Sequence, residues 1–218
     1  MDLNTYQALG DQMYKTGIFI GCNINRFADT SQIPLNIAKD NGLTPDTNVV
    51  EIGCGCCRVG YWFIDYLNPG KYYGIEPNVE MLNMGKEILL PDVINDKLPT
   101  FDNNENFDLS VFTTAPDMII AFSIWSHATK SQIETILNQM SQLDTPVSFI
   151  GTIVLTNDIS LEYNGDGWVG QSHESRARGI VYYTSTWLKS ICEKYNLELT
   201  ILNHTTVNQQ WIKITNNK

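Results

Sequence analysis

Basic residues are scarce in this chain. Only 14 Lys and Arg stand against 24 Asp and Glu in 218 residues, a formal net charge of -10. A phosphate backbone needs a basic footprint, so broad electrostatic binding of nucleic acid is not expected. The same balance disfavours an anionic membrane surface. Long hydrophobic runs are missing too. The cleanest, Met118 to Phe122, is about five residues, where a bilayer span needs roughly 20. Met1-Asp2-Leu3-Asn4 opens with neither a basic region nor an apolar core, unlike a secretory signal. The five cysteines are an odd count and sit badly for bridges: Cys54, Cys56 and Cys57 are crowded together, while Cys22 and Cys192 stand alone. Reduced thiols in a cytoplasmic protein are therefore expected. No second Cys or His pair lies at zinc-ligand spacing, so no metal site is expected. The sequence has no repeats, and its one polar patch is Asp102 to Asn106.

What is present argues for a folded domain. A hydrophobic fraction of 43%, with 11% aromatic residues, is too high for a disordered chain. The length suits one domain with a small appendage and allows burial of roughly 70% of the unfolded surface. Residues 1–45 read as an N-terminal cap or lid, with Gly10, Gly17 and Gly21 punctuating short apolar pieces and a short helix from Ile33 to Asn41. Gly42 to Asp46 makes a turn, and residues 46–218 follow as the main domain.

From there strands and helices alternate. Apolar runs predict strands at Asn48 to Ile52, Tyr72 to Ile75, Leu98 to Phe101, Asp117 to Ser123 and Val147 to Leu155. Helical spacing marks Val59 to Leu67, Val79 to Leu90, Lys130 to Leu143 and Thr184 to Tyr195. Leu197 to Leu202 and Gln210 to Thr215 close the chain as two strands with no helix between them, hence antiparallel. This order predicts an α/β three-layer sandwich around a doubly wound, mostly parallel sheet.

The informative segment joins the first strand to the first helix: Glu51-Ile52-Gly53-Cys54-Gly55-Cys56-Cys57-Arg58. Glycine lets the backbone approach a ligand closely. In a dinucleotide enzyme a third glycine stands at the sixth position of this turn, and a pyrophosphate lies on the helix N-terminus. Here that position is Arg58, and the Glu51 carboxylate would repel a pyrophosphate. No Gly-Lys-Ser/Thr follows, so a P-loop also fails. Glu76, at the end of Tyr72-Tyr73-Gly74-Ile75-Glu76-Pro77, lies where doubly wound folds place an acid on ribose hydroxyls. A ligand with a ribose and an amine but no phosphate meets these conditions, as S-adenosylmethionine does.

From about Thr44 to Thr215 the chain resembles the class I S-adenosylmethionine-dependent methyltransferases, in their small-molecule branch. The glycine turn matches the family's first motif, Gly74 to Pro77 its second-strand acid, Asp117 to His127 its fourth-strand segment and Phe149 to Thr152 its fifth strand. Cys57 departs from the pattern, standing where the family usually has a third glycine, and Asp117 follows Pro116 where an aromatic is more usual. The resemblance implies a seven-stranded sheet with an antiparallel last strand. It implies that the Gly53, Cys54 and Gly55 backbone lies along the cofactor's methionine and ribose, with Arg58 closing the motif. Glu51 would orient the ammonium group, and Glu76, followed by Pro77, would hold the ribose. An acid beyond the third strand would meet the adenine amino group; Asp108 is favoured, with Asp102 behind it, and Leu109 would pack on the ring. Ser123 ends the fourth strand beside the cofactor.

His127 follows that strand and is the first candidate for general base, because an imidazole titrates near working pH. His173 is the second. It lies in a long insertion, residues 156–183, that also carries Tyr163, Trp168, Glu174, Arg176, Arg178, Tyr182 and Tyr183. A loop this long inside a compact domain is more often functional than idle. The implied activity is methyl transfer to a small-molecule acceptor, first a hydroxyl of a sugar, glycan precursor or secondary metabolite. An NAD-type oxidoreductase and a catalytically silent cofactor-binding module of the same fold are the alternatives.

Overall fold

A computed structural model of the chain describes residues 1–173 and 175–218; Glu174 of the insertion lies outside the described residues. The chain forms two compact units, Met1–Asn104 and Glu105–Lys218. The first 45 residues therefore share a unit with the first three strands.

The first unit opens on α1 (Leu3–Tyr14), capped by the Asp2 carboxylate, which accepts from the Asn4 and Thr5 N–H groups. Its buried stripe is Tyr6, Gly10 and Met13. Gly10 was expected to break the chain but lies inside this helix. A Cβ there would stand 2.4 Å from the Phe27 ring, so packing, not punctuation, selects glycine. Next come α2 (Ile33–Asp40), β1 (Val49–Ile52), α3 (Gly60–Tyr66), β2 (Tyr72–Ile75), α4 (Val79–Ile88), α5 (Ile94–Lys97) and β3 (Thr100–Asp102). Strand β2 pairs in parallel with both β1 and β3. The third strand starts later than expected because Leu98 takes φ 50° and ends α5 in a left-handed cap.

The second unit contains β4 (Met118–Ala121), α6 (Lys130–Gln142), β5 (Ser148–Ile153), β6 (Leu155–Thr156), β7 (Tyr183–Thr184), α7 (Ser185–Lys194), β8 (Leu197–Thr206) and β9 (Gln209–Asn216). Strands β4 and β5 run parallel, while β9 is antiparallel to both β5 and β8. The strand order is β3-β2-β1-β4-β5-β9-β8. The mostly parallel, seven-stranded sheet with an antiparallel last strand is thus the sheet expected. The insertion is closed at its base: β6 and β7 pair in parallel, and Glu162 bridges to Tyr182. Lys130 clamps it further, 2.6 Å from Glu162, whose other oxygen accepts from the Thr184 N–H at 3.0 Å. Among the described residues no helix is long and apolar enough to cross a membrane.

Candidate active site

In the first unit β1 must turn sharply into α3. Gly53 and Gly55 take φ 68° and 60°, the left-handed region where side chains are strained. The Gly53 and Cys54 N–H groups both donate to the Ile75 carbonyl, at 2.8 and 3.0 Å, which pins the turn to the end of β2. Gly55 N–H instead donates to Glu76 Oε2 at 2.9 Å, and Asn78 N–H to Oε1 at 2.8 Å. Glu76 is buried, and its orientation is fixed from both sides. Pro77 is half-buried and leads from Glu76 into α4.

Cys57 also takes a left-handed φ, 61°, despite its side chain. Burial pushes the Cys54 and Cys56 thiols up, so they stay protonated and are poor nucleophiles or metal ligands. Two glycines outside the turn make room for it. A Cβ on Gly74 would stand 2.9 Å from Cys54 Sγ, and one on Gly85 would stand 2.2 Å from the Cys56 carbonyl oxygen. The second obstacle is backbone and cannot swing aside. Gly85→Ala is expected to destabilise the protein by roughly 1–3 kcal/mol, read as a lower urea midpoint.

Glu51 is buried at the foot of the turn, and Tyr72 Oη donates to its Oε2 at 2.6 Å. Desolvation pushes its carboxyl up to about 8, against the Tyr72 bond and the Arg58 charge, which pull it down. At neutral pH the group is chiefly the neutral acid, not the carboxylate the sequence suggests. Arg58 is placed differently from its expected role. Its Nη1 donates to the Phe27 carbonyl and to Thr30 Oγ1, at 3.2 and 3.0 Å, and its own carbonyl accepts from Tyr6 Oη. The guanidinium fastens the N-terminal segment to the turn.

The adenine candidates serve as local caps. Asp102 Oδ1 accepts from the Asn104 backbone and side chain, both at 2.8 Å. In the second unit Asp108 Oδ1 accepts from the Ser110 hydroxyl and N–H, which hold its carboxyl below the usual range. Leu109 is buried and its N–H donates to Gln139 Oε1 at 2.8 Å.

Ser123, expected to end the fourth strand, lies two residues beyond β4, where it takes φ 63°. Its N–H donates to Thr152 Oγ1 at 2.8 Å, Thr152 donates to Gln209 Oε1 at 2.5 Å, and Gln209 Nε2 returns to Ser123 Oγ at 2.6 Å. This ring ties together the ends of β4 and β5 and the start of β9. Gln209 was not singled out from the sequence. The antiparallel last strand begins beside the end of β5, one residue before the start expected at Gln210.

His127 follows on a short turn before α6, whose capping box uses Thr129 and Gln132. Its Nδ1 lies 2.7 Å from the Val169 carbonyl. A carbonyl only accepts, so Nδ1 carries the proton and Nε2 presents a lone pair. Desolvation lowers its pKa, against backbone bonds to Val169 and Gly179, so the ring is neutral at neutral pH. Trp168 stacks on it with centroids 5.6 Å apart. A Cβ on Gly170 would stand 2.5 Å from Nδ1. His173, by contrast, is near the surface, 3.7 Å from the exposed Glu105 carboxylate. Arg176 and Arg178 are exposed.

The sequence matches no known family profile and no curated protein sequence. Its fold does have solved counterparts. Magnesium protoporphyrin IX methyltransferase (ChlM) from Synechocystis PCC 6803 with bound SAM superposes with TM-score 0.61 at 11% identity, covering 100% of this chain and 98% of that one. DesVI of Streptomyces venezuelae gives TM-score 0.60 at 13% identity over 85% of this chain and 91% of its own. The glycopeptide N-methyltransferase MtfA gives 0.57 at 11% identity, over 85% and 94%. The likeness is one of fold, a Rossmann-like fold that these solved methyltransferases share.

Proposed function

We propose that the protein is an S-adenosylmethionine-dependent methyltransferase acting on a small molecule, with a hydroxyl oxygen as the first choice of acceptor atom. One observation carries the reading. Two buried acids, Glu51 and Glu76, end the neighbouring parallel strands β1 and β2 and bracket a glycine turn whose sixth residue is Arg58. That set of acceptors suits an ammonium group and a ribose and is poorly suited to a pyrophosphate, which favours S-adenosylmethionine over NAD. Glu51 would meet the ammonium group, Glu76 the ribose hydroxyls, and the Gly53 to Gly55 backbone the methionine. Asp108 and Leu109 would meet the adenine, and Pro77 would follow the ribose acid. Ser123, held by Gln209, would line the cofactor from the end of β4.

Bound S-adenosylmethionine supplies an electrophilic methyl group on a sulfonium. The chain's own tasks are alignment, exclusion of water and removal of one proton. Alignment alone can contribute on the order of 7–11 kcal/mol. His127 takes the acceptor's proton at Nε2, its tautomer fixed by Val169. The insertion at 156–183, closed at its base by Lys130, shelters the acceptor, and the 1–45 segment acts as a cap. His173 is the weaker second base, since it stands at the surface. Buried, protonated thiols fit a reducing, cytoplasmic setting.

Calorimetric titration with S-adenosylmethionine and, separately, with NAD tests the proposal. Binding of the first and not the second is expected. Absence of S-adenosylmethionine binding at millimolar concentration would remove the central claim.

A further inference from the structure

The motif acid does not stand alone. Tyr72, fully buried on β2, donates to Glu51 Oε2, whereas Glu51 Oε1 has no hydrogen-bond partner among the described residues. Space for the pair is built in at Gly60, the first residue of α3. A Cβ there would stand 2.3 Å from Tyr72 Oη and 3.0 Å from Glu51 Oε2. Register explains why the pair meets. Val49 lies opposite Tyr72, and Glu51 is two residues further along β1, on the same face as Val49. The groups whose charge reaches Glu51 come from each element around it: Tyr72 on β2, Glu76 beyond it, Cys54 and Arg58 in the turn, and Tyr6 on α1. Only Arg58 is cationic, and its Nη1 is held by Phe27 and Thr30.

We propose that Tyr72 is a positioning residue for the cofactor-binding acid: it holds Glu51 Oε2, leaves Oε1 for the ligand's ammonium group, and makes binding of a cationic amino-acid ligand release the Glu51 proton. The inference rests on the methyltransferase reading. The balance is simple. Glu51 enters as the acid, the O–H bond breaks, the proton leaves to solvent, and the carboxylate pairs with the ammonium. A buried charge is costly unless paired, so the ligand's cation and the Tyr72 hydroxyl together stabilise the ionised form. A neutral ligand of the same shape gains nothing from ionising Glu51, which gives the site its preference for charge.

The test uses S-adenosylhomocysteine, which has the ammonium group but cannot be turned over. Its affinity is measured by calorimetry from pH 6 to 8.5, in two buffers of different ionisation enthalpy. For the wild type, affinity should rise about tenfold per pH unit and level off near the Glu51 value of about 8. Close to one proton should be released at pH 7. Glu51→Gln should give weak, pH-independent binding over the same range. Tyr72→Phe removes a bond that favours the charged form, so its plateau should move up by about one pH unit or more, with roughly tenfold weaker binding at pH 7. A merely structural Tyr72 would lower affinity at every pH without moving the plateau. An unmoved plateau in a folded Tyr72→Phe protein, or a flat wild-type profile, would overturn the proposal. If Tyr72→Phe does not fold, the wild-type and Glu51→Gln profiles still decide whether the proton is linked to binding. Failure of the underlying methyltransferase reading looks different: the wild type would bind neither S-adenosylmethionine nor its product at any pH.

Discussion

Replacing His127 with alanine is expected to lower turnover by about 10²- to 10⁴-fold, the usual contribution of a general base, with cofactor affinity unchanged. The Val169 carbonyl accepts a hydrogen bond from Nδ1–H, so the proton stays on Nδ1 and Nε2 is the basic nitrogen. Burial holds the imidazole below its ordinary 6.5, so it is unprotonated at neutral pH. Turnover should therefore fall as pH drops through that lowered value and stay level above it. His127 also straps the insertion through Val169 and Gly179, so alanine removes two things at once. Asparagine separates them, because its amide keeps a donor for the Val169 carbonyl but offers no base. His127→Asn should therefore be nearly as inactive as alanine while keeping more of the wild-type thermal stability than alanine does. Wild-type turnover in His127→Asn would reduce the residue to a strap. Single-turnover kinetics at saturating cofactor is the measurement.

The second large effect is expected at Glu76. On the proposed reading, its loss would remove two ribose hydrogen bonds to a charged group, each worth roughly 1.5–3 kcal/mol. Cofactor affinity in Glu76→Ala should therefore drop by about 10²- to 10⁴-fold. The same change leaves the Gly55 and Asn78 N–H groups without their acceptor. Part of the loss is thus a loosened turn. Glu76→Gln tells the parts apart: its carbonyl oxygen serves one backbone N–H, but its amide faces the other with a second donor. An intermediate affinity is expected by calorimetry. Unchanged affinity in Glu76→Ala would mean that the ribose lies elsewhere.

Much of this architecture was legible from periodicity. Buried parallel strands read as short apolar runs, and Gly-x-Gly with acids at two strand ends located the turn. The antiparallel closing pair followed from the short link between Leu202 and Gln210. Other features depend on distant contacts and leave no local trace. Gly10 looks like a breaker until Phe27 is known to lie over it. Arg58 sits inside the motif, yet its guanidinium serves Phe27 and Thr30, more than 25 residues upstream. Glu51 reads as a charged residue from its type alone. Only its burial in the fold pushes the carboxyl up, against the pull of the Tyr72 hydrogen bond. Gln209 is an intermediate case, since the strand direction that places it was predicted but not followed to its first residue.

Strand β9, made after β8, is not an edge of the sheet. It is inserted between β5 and β8, and among the described residues β8 has no other strand neighbour. Until β9 has been made, β5 lacks a partner on one side and β8 lacks any. The Glu105–Lys218 unit therefore cannot close strand by strand in the order of synthesis, and until β9 inserts the β5 edge is open to pairing with other chains.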